Sequence, residues 1–323
     1  MTPSLTTLVA DARNALNSEG ERIGPNSSGT PRFELFSAAT SVCSQKVRTV
    51  LAHHGQPYRS HMVNLFGGGT YLPAYVRMRV IGCDNIGTGL VSQHTGSTSV
   101  SSGGGCDAAV VPTLIDWQTG KIVVDSRRIC QHIDEAARDS SMSLRPAHLA
   151  ARIDEEINII DNLPNYQMLS GLPPGQDLRP GALRGKTGVA FAMGKVERCD
   201  RYLSECADEV ALVRAYTAKR AKELDAAQQL FTEAAMREAY DKVESACEVL
   251  EQKLNASQIP WLFGDEVTMA DLYWGVELTR VQNLGADTFW KNGARPALAA
   301  FVERTRQLGA IKQAITNWPG ALF

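Results

Sequence analysis

The stretch Arg32-Phe-Glu-Leu-Phe-Ser-Ala-Ala-Thr-Ser-Val-Cys-Ser-Gln-Lys-Val-Arg48 decides the fold of the first half of this chain. Phe33 and Leu35 give its start the apolar and aromatic bias of a short buried strand. After a turn, Val47 and Leu51 fall at helical spacing. The stretch therefore predicts a strand, a turn and a helix.

Ser41 and Cys43 lie where this helix begins. Amide N–H groups at a helix N-terminus, together with the helix dipole, favour a thiolate over a thiol and make a cysteine reactive. The alternative for Cys43 is a small buried apolar residue. We interpret the stretch as a site of thiol chemistry that the rest of the chain serves.

The composition excludes several classes of function. The chain has 323 residues, enough for two domains, with 44% hydrophobic and 21% charged residues. A net charge of −2 argues against a nucleic-acid-binding protein. No apolar run is long enough to span a membrane, and the first residues do not resemble a secretory signal.

The cysteines and histidines point the same way. Seven cysteines, an odd number without a CxxC pair, predict reduced thiols in the cytoplasm. Six histidines form no HExxH motif and no Cys/His array, so we expect no metal site.

The segments on either side of the opening stretch complete the first domain. Residues 1–31 are weakly amphipathic and end in turn formers, which predicts a loosely held N-terminal extension without catalytic chemistry. A second strand is predicted over 58–65. The region 66–109 reads as a long insert with a short helix over 73–80, and so long an irregular segment is usually functional or disordered.

A β-hairpin signature follows the insert. Val110-Val-Pro-Thr-Leu-Ile-Asp116 and Lys121-Ile-Val-Val-Asp125 predict two strands joined by a turn at Gly120. The bond before Pro112 is a candidate for the cis isomer. Ser126 is predicted to cap the helix that follows. Residues 32–139 thus predict a βαβ–ββα domain.

From residue 146 the chain predicts an all-α domain over 146–323, with a hinge near 140–146. The apolar spacing indicates helices over 147–162, 191–224, 226–256, 268–284, 295–308 and 309–316. The Pro- and Gly-rich segment 163–186 is predicted to be a loop. Thr268 and Asp271 form a capping box at one helix start.

Several motifs resemble one family. They are Ser41-Val-Cys-Ser-Gln-Lys-Val-Arg48, Val111-Pro-Thr-Leu114, Asp125-Ser126, Pro260-Trp-Leu-Phe-Gly-Asp265 and Trp318-Pro-Gly320. Together with the domain order, they resemble the cytosolic glutathione transferases, and among these the glutathione-dependent reductive dehalogenases of chlorinated hydroquinones. The resemblance covers residues 32–323. It implies an α/β thioredoxin-like βαβ–ββα domain followed by an all-α helical-bundle domain.

The resemblance also implies roles for individual residues. The backbone of Val111, before a cis Pro112, would pair with glutathione, and Asp125 and Ser126 would hold its γ-glutamyl end. Ser41 would donate a hydrogen bond to the glutathione sulfur. Cys43 would attack an aryl-glutathione conjugate, which gives the dechlorinated product and, after a second glutathione, oxidised glutathione. Glutathione is then a co-substrate, and no metal is required.

The aromatic substrate, a chlorohydroquinone or a chlorinated gentisate, is expected between the domains, under the insert and the 163–186 loop. Candidate contacts, left unranked, are Tyr75, Arg77, Arg79, Tyr166 and Arg184. Three of these, Tyr75, Arg77 and Arg79, have a solvated helix face as their alternative. The competing functions are a glutathione transferase that stops at the conjugate, an aryl-ether-cleaving enzyme and a non-catalytic binding protein. A homodimer is a further expectation of the resemblance.

Overall fold

The computed structural model describes residues 3–25, 29–97, 99, 104–137, 143–172, 176–181, 183–184, 187–257 and 259–322. Its sheet, within these residues, is built from β1 (Glu21–Ile23), β2 (Phe33–Ser37), β3 (Tyr58–Met62), β4 (Thr113–Asp116) and β5 (Lys121–Val124). The strand order is β1-β3-β2-β4-β5, with β2 and β3 parallel and the other neighbours antiparallel. The thioredoxin-like arrangement predicted from the sequence is confirmed.

In the described part of this half, the sheet is accompanied by the helices α1 (Leu5–Ala15), α2 (Val42–His53), α3 (Pro73–Asp84) and α4 (Ser126–Ala136). One face of the sheet shares a core with α2, α4 and the later helices, and the other face packs with α1 and α3. Helix α3 runs four residues further than predicted. The strand predicted over 58–65 ends earlier, at Met62, and the one predicted from Val110 begins at Thr113.

The N-terminal segment departs from the prediction of a loosely held extension. Leu8, Val9 and Ala12 of α1 are buried, and β1 extends the sheet by pairing with β3. Arg13 closes the contact through a bidentate ion pair with Glu34 of β2, in which Nε lies 2.7 Å from Oε1. The segment covers an apolar face that would otherwise be exposed to water.

The second half of the chain is helical. Its helices are α5 (Ala150–Asp161), α6 (Asn165–Ser170), α7 (Gly188–Glu205), α8 (Val210–Gln229), α9 (Glu233–Ser257), α10 (Met269–Asn283), α11 (Pro296–Gln307) and α12 (Gly309–Ile311), which continues into a π-helical turn, Lys312–Thr316. The single helix predicted over 191–224 is wrong, because the chain turns at 206–209 and returns as an antiparallel hairpin of α7 and α8. The predicted loop 163–186 contains α6. The Asp271 carboxylate accepts from the Thr268 N–H at 2.8 Å, as the capping box predicts.

Helix α2 joins the two halves. Its polar side chains are buried against later segments: Lys46 Nζ lies 2.8 Å from Asp161 Oδ1 of α5, and Gln45 donates to the carbonyl of Ala321 at 3.0 Å. The predicted hinge at 140–146 and the boundary at 139 fall partly on residues 138–142, which lie outside the described residues. In the described part of the chain, none of the helices combines the length and the apolar character that crossing a bilayer requires.

Candidate active site

A cavity of about 160 Å³ opens where the two halves meet. The N-terminus of α2 and the segment just before β4 form the side toward the sheet. Helices α6, α7, α8 and α10, the turn at 65–71 and two residues of the insert, His94 and Ser97, form the rest. The C-terminal end of β2, the start of β4 and the end of β5 lie at the same end of the sheet, because Phe36 and Val124 both align with Thr113. The topology therefore brings three predicted site segments to one edge.

Ser41 and Cys43 both line this cavity. Ser41 is the N-cap of α2, and its Oγ accepts from the Ser44 N–H at 3.3 Å. Cys43 lies in the first turn and is 5% exposed. It also packs with apolar residues of α10 and the C-terminal segment. Cys43 therefore fits both interpretations: it belongs to an apolar core cluster, as a buried residue would, and it borders the cavity, as a reactive thiol would.

Two buried cations lie near the thiol. Arg280 of α10 lines the cavity and donates to the carbonyl of Thr40. Burial lowers the pKa of Arg280 to about 10. Lys46, one turn along α2 from Cys43, is fully buried in its ion pair with Asp161. Both side chains are close enough to interact electrostatically with a thiolate at Cys43. Such neighbours favour the charged form of a sulfur atom.

The peptide bond between Val111 and Pro112 is cis, which confirms the prediction from the sequence. Val111 lines the cavity, and its backbone N–H and C=O have no hydrogen-bond partner among the described residues. Tyr75 and Arg79 of α3 hold the segment in place. The Tyr75 hydroxyl donates to the Val110 carbonyl at 2.8 Å. The Arg79 guanidinium donates to the carbonyls of Asp107 and Pro112, the former at 2.8 Å.

Asp125 and Ser126 lie beside this segment, at the end of β5, outside the residues that line the cavity. Asp125, not Ser126 as predicted, is the N-cap of α4: its carboxylate accepts from the amides of Arg127 and Arg128 at 3.1 and 3.3 Å. Its φ of +74° is unusual for a residue with a side chain. Burial raises the pKa of Asp125. The Ser126 hydroxyl is buried without a hydrogen-bond partner in the described part of the chain.

Only Tyr166 of the five aromatic-substrate candidates lines the cavity. Tyr75 and Arg79 are buried under the segment before β4, because α3 turns this face toward the sheet. Arg77 points to the surface, where it forms an ion pair with Glu209 at 2.8 Å. Arg184 is exposed and donates to the carbonyl of Arg179. These four residues do not lie where the sequence analysis expected them.

A group of charged residues that the sequence analysis missed lines the same cavity. Lys195 of α7 and Lys219, Lys222 and Glu223 of α8 border it, and all three residues of α8 are buried. The sequence signal that could have identified these residues is their spacing along α8. On α8 the lysines and the glutamate continue the stripe of buried residues formed by Leu212, Ala215, Tyr216 and Ala226. Charged residues are rarely buried, so charged residues on the same face of a helix as its buried apolar residues indicate a functional site.

The fold, the cis-proline segment and the paired Ser41 and Cys43 define the class of protein. The chain belongs to the glutathione transferase superfamily. Residues 40–136 match the family model of the glutathione S-transferase N-terminal domain, and residues 233–304 match that of the C-terminal domain. The chain is 37% identical over 293 residues to the 2,5-dichlorohydroquinone reductive dechlorinase of Sphingobium indicum, in strains B90A and UT26. This alignment covers 90% of the chain and 84% of that protein.

Solved structures agree on the fold. The β-etherase LigF from Sphingobium sp. strain SYK-6 superposes with a TM-score of 0.56 at 18% identity, covering 89% of this chain and all of that one. Ure2p in complex with glutathione gives a TM-score of 0.52 at 17% identity, covering 89% of this chain and 95% of that one. At this level of sequence identity, structural similarity supports the fold alone.

Within the described ranges, no three histidine, cysteine, aspartate or glutamate side chains come together in a way that could hold a metal ion. All seven cysteines fall within these ranges, and none forms a disulfide.

Proposed function

We propose that this protein is a glutathione-dependent reductive dehalogenase of a chlorinated hydroquinone-type aromatic, either a chlorohydroquinone or a chlorinated gentisate. The observation that carries the proposal is that Ser41 and Cys43, in and just before the first turn of α2, line one cavity. The 37% identity to a reductive dechlorinase over most of both chains supports the same reaction.

The residues at the end of the sheet fit glutathione as co-substrate. Among the described residues, the Val111 backbone has no partner, so it can offer one donor and one acceptor to the peptide backbone of the tripeptide, as a sheet edge does to an added strand. The Ser126 hydroxyl, which has no partner in the same residues, lies in the first turn of α4, where a carboxylate is favoured. We expect the Asp125 carboxylate to accept from the amino group.

The first chemical step replaces chlorine by sulfur. Ser41 donates its hydroxyl hydrogen to the glutathione sulfur, and the α2 N-terminus stabilises the thiolate further. Attack of that sulfur on the chlorine-bearing carbon, in a keto tautomer of the hydroquinone, forms a C–S bond. The C–Cl bond then breaks, and chloride and a proton leave. The ring has exchanged one substituent, and no net electron transfer to the protein has occurred.

Cys43 carries out the reduction. Its thiolate attacks the sulfur of the aryl conjugate, so that an S–S bond forms and the C–S bond breaks. The electron pair of the broken bond goes to the ring carbon, which takes up a proton. A second glutathione thiolate then displaces Cys43 from the mixed disulfide. One aryl chloride and two glutathiones thus give one dechlorinated ring, HCl and oxidised glutathione.

Chloride release and oxidised glutathione, followed together on a panel of chlorohydroquinones and chlorogentisates, test this proposal. We expect one chloride and one oxidised glutathione for each ring. In Cys43→Ser, chloride release should continue while the aryl-glutathione conjugate accumulates, because only the second step needs the protein thiol. Cys206→Ser, which changes a cysteine outside the cavity lining, is the matched control and should behave as the wild type.

The competing functions give different results. A wild type that releases chloride but stops at the conjugate is a transferase, and Cys43→Ser would then change nothing. A protein that binds glutathione but turns over neither aryl chlorides nor aryl ethers is a non-catalytic binding protein.

A further inference from the structure

One wall of the cavity carries ion pairs that the proposed chemistry does not use. Lys219 Nζ lies 2.8 Å from both Asp107 Oδ2 and Glu223 Oε1. Lys222 Nζ lies 3.0 Å from the same Asp107 oxygen, and Lys195 Nζ lies 3.2 Å from Glu223 Oε2. We call these three lysines and two carboxylates the lysine cluster. Four of its members are at most 5% exposed.

The lysine cluster has an excess of positive charge at neutral pH, because three ammonium groups face two carboxylates. Burial and the two neighbouring lysines lower the pKa of Lys195 to about 8, so this residue is still mostly charged at pH 7. The neighbouring titratable groups do not correct it. Burial and Lys222 lower the pKa of His94 well below its usual range, so that its ring, stacked on Tyr166, is neutral. Burial raises the pKa of Tyr166. Asp225 accepts from the His94 amide at 2.9 Å and forms no ion pair with the three lysines within the described residues. An uncompensated charge in so buried a place is costly, and an anionic ligand would remove the cost.

Tyr71 supplies a second, independent observation. Its side chain is 2% exposed and lines the cavity, and its hydroxyl has no hydrogen-bond partner among the described residues. Lys219 Nζ lies 5.9 Å from the centre of its ring. Burial raises the pKa of Tyr71 well above its usual range, so the hydroxyl is a donor. A buried donor without a partner next to an excess of positive charge is suited to an oxyanion.

The surfaces around the cluster suit an aromatic ring. Phe191 stands between Phe66 and Tyr166, with its ring centre 6.3 Å from the first and 5.9 Å from the second. Phe66 is 54% exposed. These three aromatic side chains line the same cavity as Cys43, and so do four members of the lysine cluster, Lys195, Lys219, Lys222 and Glu223. A ring held here meets apolar walls and, at one side, the positive charge.

We propose that the lysine cluster and Tyr71 bind an ionised oxygen substituent of the aromatic substrate, a phenolate or a ring carboxylate. The enzyme then selects rings that carry an oxyanion over neutral rings of the same shape. Lys195 is the lysine that can most readily bind a ligand. Its carboxylate partner, Glu223, is also paired with Lys219, and its other hydrogen bond is to the Tyr166 hydroxyl at 2.8 Å. The role of this ring as substrate rests on the proposed function, whereas its binding can be measured without turnover.

Equilibrium binding to the full-length protein, with glutathione present, tests the selection. The probes are two matched pairs: gentisate with its methyl ester, and 4-nitrophenolate with 4-nitroanisole. One charge-assisted hydrogen bond corresponds to a preference of about ten-fold or more for each ion over its neutral partner. Preference in the first pair alone identifies a carboxylate ligand, and preference in the second pair alone identifies a phenolate. Wild-type protein that binds the neutral partners as tightly as the ions overturns the proposal.

Variants separate recognition from structural effects. Lys195→Met should bring the preference close to one, and Lys195→Arg should restore most of it. Tyr71→Phe leaves every ion pair in place and should reduce the preference several-fold, so it keeps the test valid if Lys195→Met does not fold. Lys121→Met, at an exposed position on β5, is the control. Full preference in both Lys195→Met and Tyr71→Phe refutes the assignment. Absence of chloride release would refute the proposed reaction and leave this binding result unaffected.

Discussion

Replacing Ser126 by alanine should change the stability of the protein and its affinity for glutathione in opposite directions. In the protein alone, the Ser126 hydroxyl is buried without a partner in the described structure. An unsatisfied buried polar group costs about 1–3 kcal/mol. Ser126→Ala removes that cost and leaves a small void, so we expect the free energy of unfolding to rise by about 1 kcal/mol.

With glutathione bound, the sign reverses. If the hydroxyl donates to the γ-glutamyl carboxylate, its loss costs the complex a charge-assisted hydrogen bond of about 1.5–3 kcal/mol. The dissociation constant for glutathione should then rise by about 10- to 150-fold. Titration calorimetry measures the second effect, and thermal unfolding without ligand measures the first. At 323 residues, 1 kcal/mol corresponds to a shift in Tm of about 1.5 °C.

Ser44→Ala is the matched control, because Ser44 is equally buried but its Oγ accepts from the Ala38 N–H at 3.2 Å. Removing the hydroxyl leaves that amide without its acceptor. The free energy of unfolding should then fall by about 1–3 kcal/mol, and the Tm should fall with it. If Ser126→Ala destabilises the protein as Ser44→Ala does, the hydroxyl has a structural partner and our argument fails. If stability rises but glutathione binds as before, Ser126 is not a ligand contact.

Two further predictions concern the N-terminal segment. Arg13→Met removes the cation that faces the buried Glu34 and should lower the free energy of unfolding by about 1–3 kcal/mol, a moderate loss because Arg13 is partly exposed. Urea denaturation at neutral pH measures this loss. An unchanged midpoint would show that α1 is held by apolar packing alone. Hydrogen bonds from His61 and Arg13 outweigh burial and lower the pKa of Glu34 to about 2 from 4.5. A depressed carboxyl pKa contributes stability above pH 4.5, and that contribution disappears as the pH falls toward 2. The acid-induced loss should therefore be shallower in Arg13→Met than in the wild type, and parallel profiles would contradict the assignment.

Local signals in the sequence were sufficient for the scaffold. The strand, turn and helix around Ser41, the proline at 112 and the Thr268 capping box depend on neighbouring residues, so their sequence patterns carry them. Long-range packing was not accessible in the same way. The place of helix α1 could not be predicted because its partner surface comes from distant elements, as the burial of its apolar side chains and the pairing of Arg13 with Glu34 show.

The same difference between local signals and long-range packing applies to the site residues. Cys43 and Val111 were singled out because short motifs surround them, and both line the cavity. Arg79 was misjudged because a single helix cannot show which of its faces meets the residues around Asp107. Lys219 was overlooked because a lysine on a helix is usually solvated, and one of its two carboxylate partners, Asp107, comes from the distant insert.

The polar contacts between α2 and the C-terminal segment have a consequence for how the protein is made. Arg48 is buried on α2, donates to the carbonyl of Ala314 and stacks on Trp318, and Gln45 bonds Ala321, 276 residues further along the chain. At about 5–20 residues per second, a ribosome delivers that partner about 15–55 s after the helix itself. During synthesis, these polar side chains of α2 therefore lack their C-terminal partners, and Cys43 lacks the C-terminal residues of its apolar cluster, until the last helical turns emerge. A nascent chain stalled before residue 314 should thus contain a folded sheet with an unfinished candidate site.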